Sequence, residues 1–284
     1  MAKYQNVILK DKSDITPVVL ERFPSVNILG AYGKVDTKNV DNIKIISTKF
    51  SKVGKVTLDR YKNLEWVVCR AHGVDTVNLE ECRKRNVGVV ATAPTAKPCG
   101  QWICDKIDED DAVLIFGNGS ISKEVQKRIG NFNVVNTKTG QNEIDRYLKF
   151  CKTIIITLPL NKSTKNYFDR TLFSKIQNQI TIISIARGDV IDSGALLDFN
   201  SKGKLKIGHF DMLSSDNRNV VASQKNIRYY EHTSWEYNQP KDSSGKLGGY
   251  VNVEFADNLK KVIDNCLKNK VKNPHLKRLE NIWF

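Results

Sequence analysis

Three short runs, VLIF at Val113–Phe116, TIIIT at Thr153–Thr157 and TIISI at Thr181–Ile185, lack the apolar–polar alternation of a strand with one wet face. Strands of this kind are covered on both sides, which points to a parallel sheet with helices above and below it. Further β-rich runs recur along the chain at Asn6–Leu9, Asn27–Leu29, Lys44–Ser47, Glu65–Cys69, Gly88–Ala91, Asn133–Val135, Lys206–His209 and Ile227–Tyr229, and the first of the three apolar runs extends back to Ala112. Helix-patterned stretches lie between them, among them Asn78–Lys84, Ser122–Ile129 and Ser193–Ser201. Strand and helix in alternation predict an α/β fold. Two breaks interrupt it, APTAKPCG at Ala93–Gly100 and NQPKDSSGKLGG at Asn238–Gly249. The strongest strands lie between the breaks. A central domain, residues 98–256, is therefore expected to be inserted into a second one formed by residues 1–97 and completed by about 257–284.

Directly after VLIF comes Gly117-Asn118-Gly119-Ser120-Ile121-Ser122, followed by the helix-like KEVQKRIG. A G-x-G-x-x-small turn between a strand and a helix is the context in which this pattern carries chemistry. The first glycine permits the tight turn and the second lets the backbone approach a pyrophosphate. The N–H groups of Ser120 and Ile121 then point at the anion. Ser122 stands where a third glycine would allow close helix packing. The next strand runs out into Asn136-Thr137-Lys138-Thr139. An NAD site usually places a carboxylate here for the ribose 2′-hydroxyl, and this segment offers none. Hydroxyls and a lysine suit a 2′-phosphate instead, so NADP(H) is expected ahead of NAD(H); a plain polar loop is the alternative.

The charge supports no further function. Forty-five Lys and Arg against 31 Asp and Glu give a net +14, but the charges are spread singly, with no basic–aromatic stripe. That describes a solvated basic surface and no specific nucleic-acid partner. No uncharged apolar run approaches the roughly 20 residues of a membrane span. The opening MAKYQNVILKDKSD has neither a long apolar region nor a small-residue cleavage site, so no export signal is expected. Six cysteines (Cys69, Cys82, Cys99, Cys104, Cys151 and Cys266) form no C-x-x-C pair. Scattered thiols fit a reducing, cytoplasmic compartment, and no His, Cys or acidic cluster has metal-ligand spacing.

Three segments point to a reaction. ISIARGDVID places Arg187 directly after a buried strand, GHFDML carries Asp211 and leads on to Asp216, and YEHTSW places His232 after another strand. In an open parallel sheet, ligands bind beyond the carboxyl ends of the strands, where all three segments emerge. In this order they resemble the D-isomer-specific 2-hydroxyacid dehydrogenases. LEWVVCRAHGVDTV at Leu64–Val77 is similar to that family's substrate-loop segment, and PCGQWIC at Pro98–Cys104 to its P-V-A-E-W-V-L helix. TLPLNKST at Thr157–Thr164 is similar to its H-L-P-L-T-x-x-T, and ARGDVID to its A-R-G-x-x-V-D.

The resemblance implies a Rossmann-type doubly wound domain inserted into a smaller flavodoxin-like α/β substrate domain, with an Arg, acid, His triad between them. Arg187 would bind the carboxylate and carbonyl oxygen of a small 2-oxo acid such as glyoxylate, hydroxypyruvate or pyruvate. His232 would be the general acid and base, and Asp216 would orient it from the position where the family usually has Glu. The backbone of Ala71, His72 and Gly73 would meet the substrate carboxylate, with charge added by His72 and Arg70. Asp211 would lie near the nicotinamide carboxamide, and Leu158, Pro159, Thr164 and Ala186 would line the cofactor pocket. His209 reads as a packed residue and His275 as a solvated one. Several positions depart from the family pattern: Gln101 replaces Glu, Ser184 replaces Asn, Glu231 replaces the proline before the histidine, and the Asp105–Val113 connection is short. A homodimer would therefore have an altered interface. The alternative function is a dinucleotide-binding regulator on the same fold with weak turnover.

Overall fold

The computed structural model describes residues 4, 6–9, 17–23, 27–28, 37–49, 51–71, 73–92, 95–238 and 249–268. They form two compact units, one running from Thr95 to Asn238 and the other assembled from the segments on either side of it. The flanking unit contains β1 (Val7–Leu9), α1 (Pro17–Arg22), β2 (Asn27–Ile28), β3 (Ile45–Thr48), α2 (Lys55–Arg60), β4 (Trp66–Cys69), α3 (Leu79–Lys84) and β5 (Gly88–Ala91). The central unit begins with α4 (Ala96–Cys104), β6 (Val113–Phe116), α5 (Ser120–Gln126), β7 (Phe132–Val135), α6 (Gln141–Leu148) and β8 (Thr153–Ile156). It continues with α7 (Arg170–Ser174), β9 (Ile180–Ser184), α8 (Ser193–Ser201), β10 (Leu205–Phe210), α9 (Arg218–Ala222) and β11 (Ile227–Tyr229). A last helix, α10 (Gly249–Leu267), returns to the flanking unit.

Each expected strand is found, Gly88–Ala91 and Ile227–Tyr229 with the ends expected and the others with ends slightly shifted. Both sheets are parallel throughout, in the orders β2-β1-β3-β4-β5 and β11-β10-β9-β8-β6-β7. The first order is that of flavodoxin-like sheets and the second is a doubly wound sheet. The uninterrupted apolar runs now have their cause. Leu114, Phe116, Ile154, Ile156 and Ile182 pack on one face of the central sheet with Phe168, Phe173 and Phe199. Val113, Ile115, Ile155 and Ile183 pack on the other with Trp102, Ile103 and Val125. Each such side chain contributes about 1.5–3 kcal/mol by leaving water, so a polar residue at any of these positions would be costly.

Helix starts follow local capping. Asn78, expected inside a helix, is instead the N-cap of α3, its side chain accepting from Glu81 N at 3.0 Å. Asp192 caps α8 in the same way, through Ala195 N at 2.8 Å. Helix α5 opens earlier than expected, directly off Gly119. The chain leaves the central unit at Asn238, ahead of the expected boundary, because Ala256, Leu259, Ile263 and Cys266 of α10 pack with Val7, Leu9, Ile45 and Val68 of the flanking sheet. The break at Asn238–Gly249 falls mostly outside the described residues, as do Ala93 and Pro94. The second half of the other break, from Ala96, is the first turn of α4.

Candidate active site

The strand order of the central sheet reverses at β6. The chain steps to β7 on one side and returns to β8 on the other, which puts the switch point, where open α/β sheets bind their ligands, at the carboxyl ends of β6 and β8. Gly117 N donates to Val135 O at 2.8 Å and Thr157 N donates to Phe116 O at 2.8 Å, so three strand ends are joined at this point. Gly117 has φ +113°, and a Cβ there would stand 2.5 Å from Thr157 Oγ1 and 3.1 Å from the Thr157 carbonyl carbon. Only glycine satisfies both conditions. A Cβ on Gly119, by contrast, would meet nothing within 4 Å. The second glycine faces open space, which leaves room for the close backbone approach a pyrophosphate needs, so this turn fits the group its pattern implies. Ser120 is exposed, Ile121 half-buried against the Trp102 cluster, and Ser122 fully buried, with its hydroxyl accepting from Gln126 Nε2 at 2.9 Å.

The two loops beside this turn are ordered by their own side chains. Asn136 Oδ1 accepts from Lys138 N at 2.8 Å and Thr139 Oγ1 accepts from Asn136 N at 2.9 Å, a tight turn that leaves Thr137 and Lys138 exposed. On the other loop Leu158 is buried in the core, while Pro159 is exposed. The Thr164 hydroxyl donates to Pro159 O at 2.5 Å and accepts from Asn161 N at 2.8 Å. It holds the loop closed rather than reaching outward.

Beyond β9, β10 and β11 lies a second group of polar residues. Asp211, 2% exposed, is its hub. Its N–H donates to Ser184 O at 2.8 Å, its carbonyl accepts from His232 N at 2.6 Å, and its carboxylate accepts from Ser234 N at 2.8 Å. Arg187 follows the buried Ala186 and places Nη1 3.1 Å from Met212 Sδ. Ser214 donates to the Asp189 carboxylate, and a Cβ on Gly188 would lie 1.9 Å from Ser214 N. Arg187 thus touches the side chain of Met212, while the main chain of His232 is fastened to the preceding residue, Asp211. Asp216 is exposed and held by its main chain: its carbonyl accepts from Ser193 Oγ at 3.1 Å and its N–H donates to Ser214 Oγ at 3.3 Å. The contacts that fix it run to those serines and not to His232. The histidine itself sits in a corner where Glu231 and His232 have φ +51° and +65°. Left-handed backbone at two successive non-glycine residues stores strain. Proline, confined to φ near −65°, could not occupy position 231 in this corner.

In the flanking unit, Ala71 and Gly73 follow the carboxyl end of β4 and are half-buried; His72 lies outside the described residues, as does His275. Arg70 is 2% exposed, with Nη1 3.1 Å from Ser47 Oγ. Sequence spacing gave no sign of Gly188, Met212, Ser214 or Ser234, because each matters through a partner distant in the chain. The six cysteines are free thiols. Among the described residues no metal-binding group of His, Cys, Asp or Glu occurs, and no helix is long and apolar enough to cross a membrane.

His209, on β10, points Nδ1 at Tyr230 OH, 2.9 Å away. Burial pushes its pKa down to about 4, helped by the positive charges of Lys106 and Arg228. The folded protein therefore keeps His209 neutral while the unfolded chain takes up a proton near pH 6.5. The stability this neutrality confers is lost as pH falls from about 6.5 toward 4. The melting midpoint of His209→Gln is expected to fall less steeply than wild type over that interval; parallel curves would count against it.

A parallel sheet with a Gly-x-Gly turn at its switch point, and with arginine and histidine beyond the carboxyl ends of β9 and β11, has the layout of a dinucleotide-dependent oxidoreductase. Family models narrow the class. The D-isomer specific 2-hydroxyacid dehydrogenase NAD binding domain matches residues 100–234, and the catalytic domain of the same family matches residues 9–99. The chain belongs to the D-isomer specific 2-hydroxyacid dehydrogenases. It is 22% identical over 248 residues to 2-ketogluconate reductase of Gluconobacter oxydans (strain 621H), covering 71% of this chain and 79% of the reductase. It is 21% identical over 261 residues to human D-3-phosphoglycerate dehydrogenase, covering 76% of this chain but only 48% of that enzyme. An acyclic imino acid reductase solved with NADPH and D-Arg shares the fold, with a TM-score of 0.75 at 14% identity over 94% of this chain and 99% of that one.

Proposed function

We propose that this protein reduces a small 2-oxo acid to the 2-hydroxy acid, with NADPH preferred to NADH, and catalyses the reverse oxidation. The cluster beyond β9, β10 and β11, in which Arg187 contacts the Met212 side chain and the main chain of His232 is bonded to Asp211, is the observation that supports the reading best. Gly117, Gly119, Ser120 and Ile121 would hold the pyrophosphate, with Leu158, Pro159, Thr164, Ala186 and Asp211 shaping the pocket beside it. The nicotinamide, when bound, supplies or accepts the hydride. Arg187 is assigned the substrate carboxylate and carbonyl oxygen, since a guanidinium fork matches paired oxygens and stabilises negative charge as it develops. His232 is assigned the proton that neutralises the new alkoxide; histidine suits this because its side chain titrates near neutral pH. Asp216 is assigned to orient the imidazole. Ala71, His72 and Gly73 would present backbone donors to the substrate carboxylate.

Loss of reduced-nicotinamide absorbance across a panel including glyoxylate, hydroxypyruvate and pyruvate tests the assignment. Turnover with at least one acid is expected, faster with NADPH. The anchoring of Asp216 to serines favours the second reading, a dinucleotide-binding regulator, and nucleotide binding without turnover would select it. If Thr137, Lys138 and Thr139 read the 2′-phosphate beside Asn136, Lys138→Asp should shift the NADPH/NADH preference toward NADH by roughly tenfold or more, as for loss of a hydrogen bond to a charged group. An unchanged ratio would refute that role. Free, scattered thiols fit a cytoplasmic location.

A further inference from the structure

The Glu231–His232 corner has positive φ at both residues, and such backbone persists only where surrounding contacts over-determine it. Besides Phe210 and Asp211 at the end of β10, α4 and the turn after it contact both flanks. On the N-terminal side, Tyr230 packs edge-on against Trp102 with ring centroids 5.0 Å apart, and it lies over His209 at 5.9 Å. On the C-terminal side, Ser234 Oγ lies 3.6 Å from Cys99 Sγ, and Tyr237 OH donates to the Asp105 carboxylate. Trp235 Nε1 donates to the His232 carbonyl at 2.9 Å.

One side chain touches both flanks. Lys106 Nζ donates to Trp102 O at 3.0 Å, stands 4.0 Å from the Trp102 ring centroid, and lies 5.2 Å from the rings of both Tyr230 and Tyr237. A cation against aromatic faces is attracted by their quadrupoles, more strongly where water is scarce. We propose that Lys106 is a positioning residue for His232: its ammonium, seated among Trp102, Tyr230 and Tyr237, holds the two ends of the left-handed corner onto α4. The inference rests on the reading of His232 as the proton donor. Burial pushes the Lys106 pKa down to about 8, opposed by Asp105 and Asp211, so the amine is still largely a cation at neutral pH. Its other titratable neighbours are His209, Tyr230 and Tyr237.

Lys106→Met keeps an apolar stem and removes the cation; Lys106→Arg restores it. Removing a desolvated charge can leave overall stability unchanged or raise it, so the measurement has to be local. Hydrogen exchange at pH 7 would follow the amides of Tyr230, His232 and Ser234, which donate to Phe210 O, Asp211 O and the Asp211 carboxylate. In Lys106→Met these amides should exchange roughly tenfold faster or more, while those of β9 are unchanged and Lys106→Arg behaves as wild type. In the reductase assay Lys106→Met should lower kcat about tenfold or more, because misplacing a proton donor costs rate, with KM for the nucleotide unaltered. Unchanged exchange in Lys106→Met overturns the proposal whatever the enzyme's activity. Faster exchange with wild-type kcat overturns the positioning role. Absence of turnover in the wild type would reject the reductase reading and the positioning role with it, while the exchange data would still decide whether Lys106 holds the corner.

Discussion

Arg187→Ala and His232→Ala are each expected to lower turnover of the best 2-oxo acid by about 10²-fold or more, a loss of about 2.7 kcal/mol in transition-state stabilisation. The two should fail differently. Without Arg187 the substrate loses both an anchor for its carboxylate and a donor to the oxygen that becomes negative, so KM rises as kcat falls. Lysine should restore little, since it is a single point charge where two parallel donors are needed. Without His232 the substrate still binds, and the loss falls on kcat together with the pH dependence that a general acid imposes. Neither side chain belongs to the Gly117–Ser122 turn, so the nucleotide dissociation constant should be unchanged in both variants. Steady-state kinetics over a range of pH, with fluorescence titration of NADPH, would measure all of this. Near-wild-type rates in both variants would remove the role assignments and leave only the fold.

Much of the fold is legible before any coordinates. Burial on both faces removes alternation from VLIF and TIIIT, so these residues announce a central parallel strand by themselves. Gly117 is legible for a related reason: the turn demands φ +113° and closeness to Thr157 at once, and glycine alone tolerates both. The residues of α10 carry no mark of the sheet that the helix covers, which is why the domain boundary shifts. Legibility fails where a residue matters through a distant neighbour. Ser214 and Asp189 are 25 positions apart, and Tyr237 and Asp105 are 132 apart. Nothing local in either segment marks the pairing. Asp216 shows the complementary limit. Its place beside His232 is implied by the family resemblance and by no local signal, and Ser193 and Ser214 hold only its backbone.

Gly188→Ala should destabilise the protein by about 3 kcal/mol, at the upper end for forcing an added methyl into packed surroundings. The added Cβ would lie 1.9 Å from Ser214 N, 2.1 Å from the Leu213 carbonyl carbon and 2.6 Å from Leu213 O. These are main-chain atoms, so no side-chain rotation can relieve the clash. Either the 188–190 turn lifts away from the Leu213–Ser214 segment that follows β10, or that segment moves. Both movements break the Ser214–Asp189 hydrogen bond and displace Met212 from Arg187. For a chain of this size the melting midpoint should drop by roughly 6–12 °C, and residual activity should fall because Arg187 loses its seat. Gly119→Ala is the matched control. Its Cβ would meet nothing within 4 Å, so its melting midpoint should stay near wild type while nucleotide affinity declines as the methyl enters the phosphate's approach. A Gly188→Ala protein that melts with the wild type would mean the turn is not packed as described, and the seat of Arg187 against Met212 would lose its physical basis.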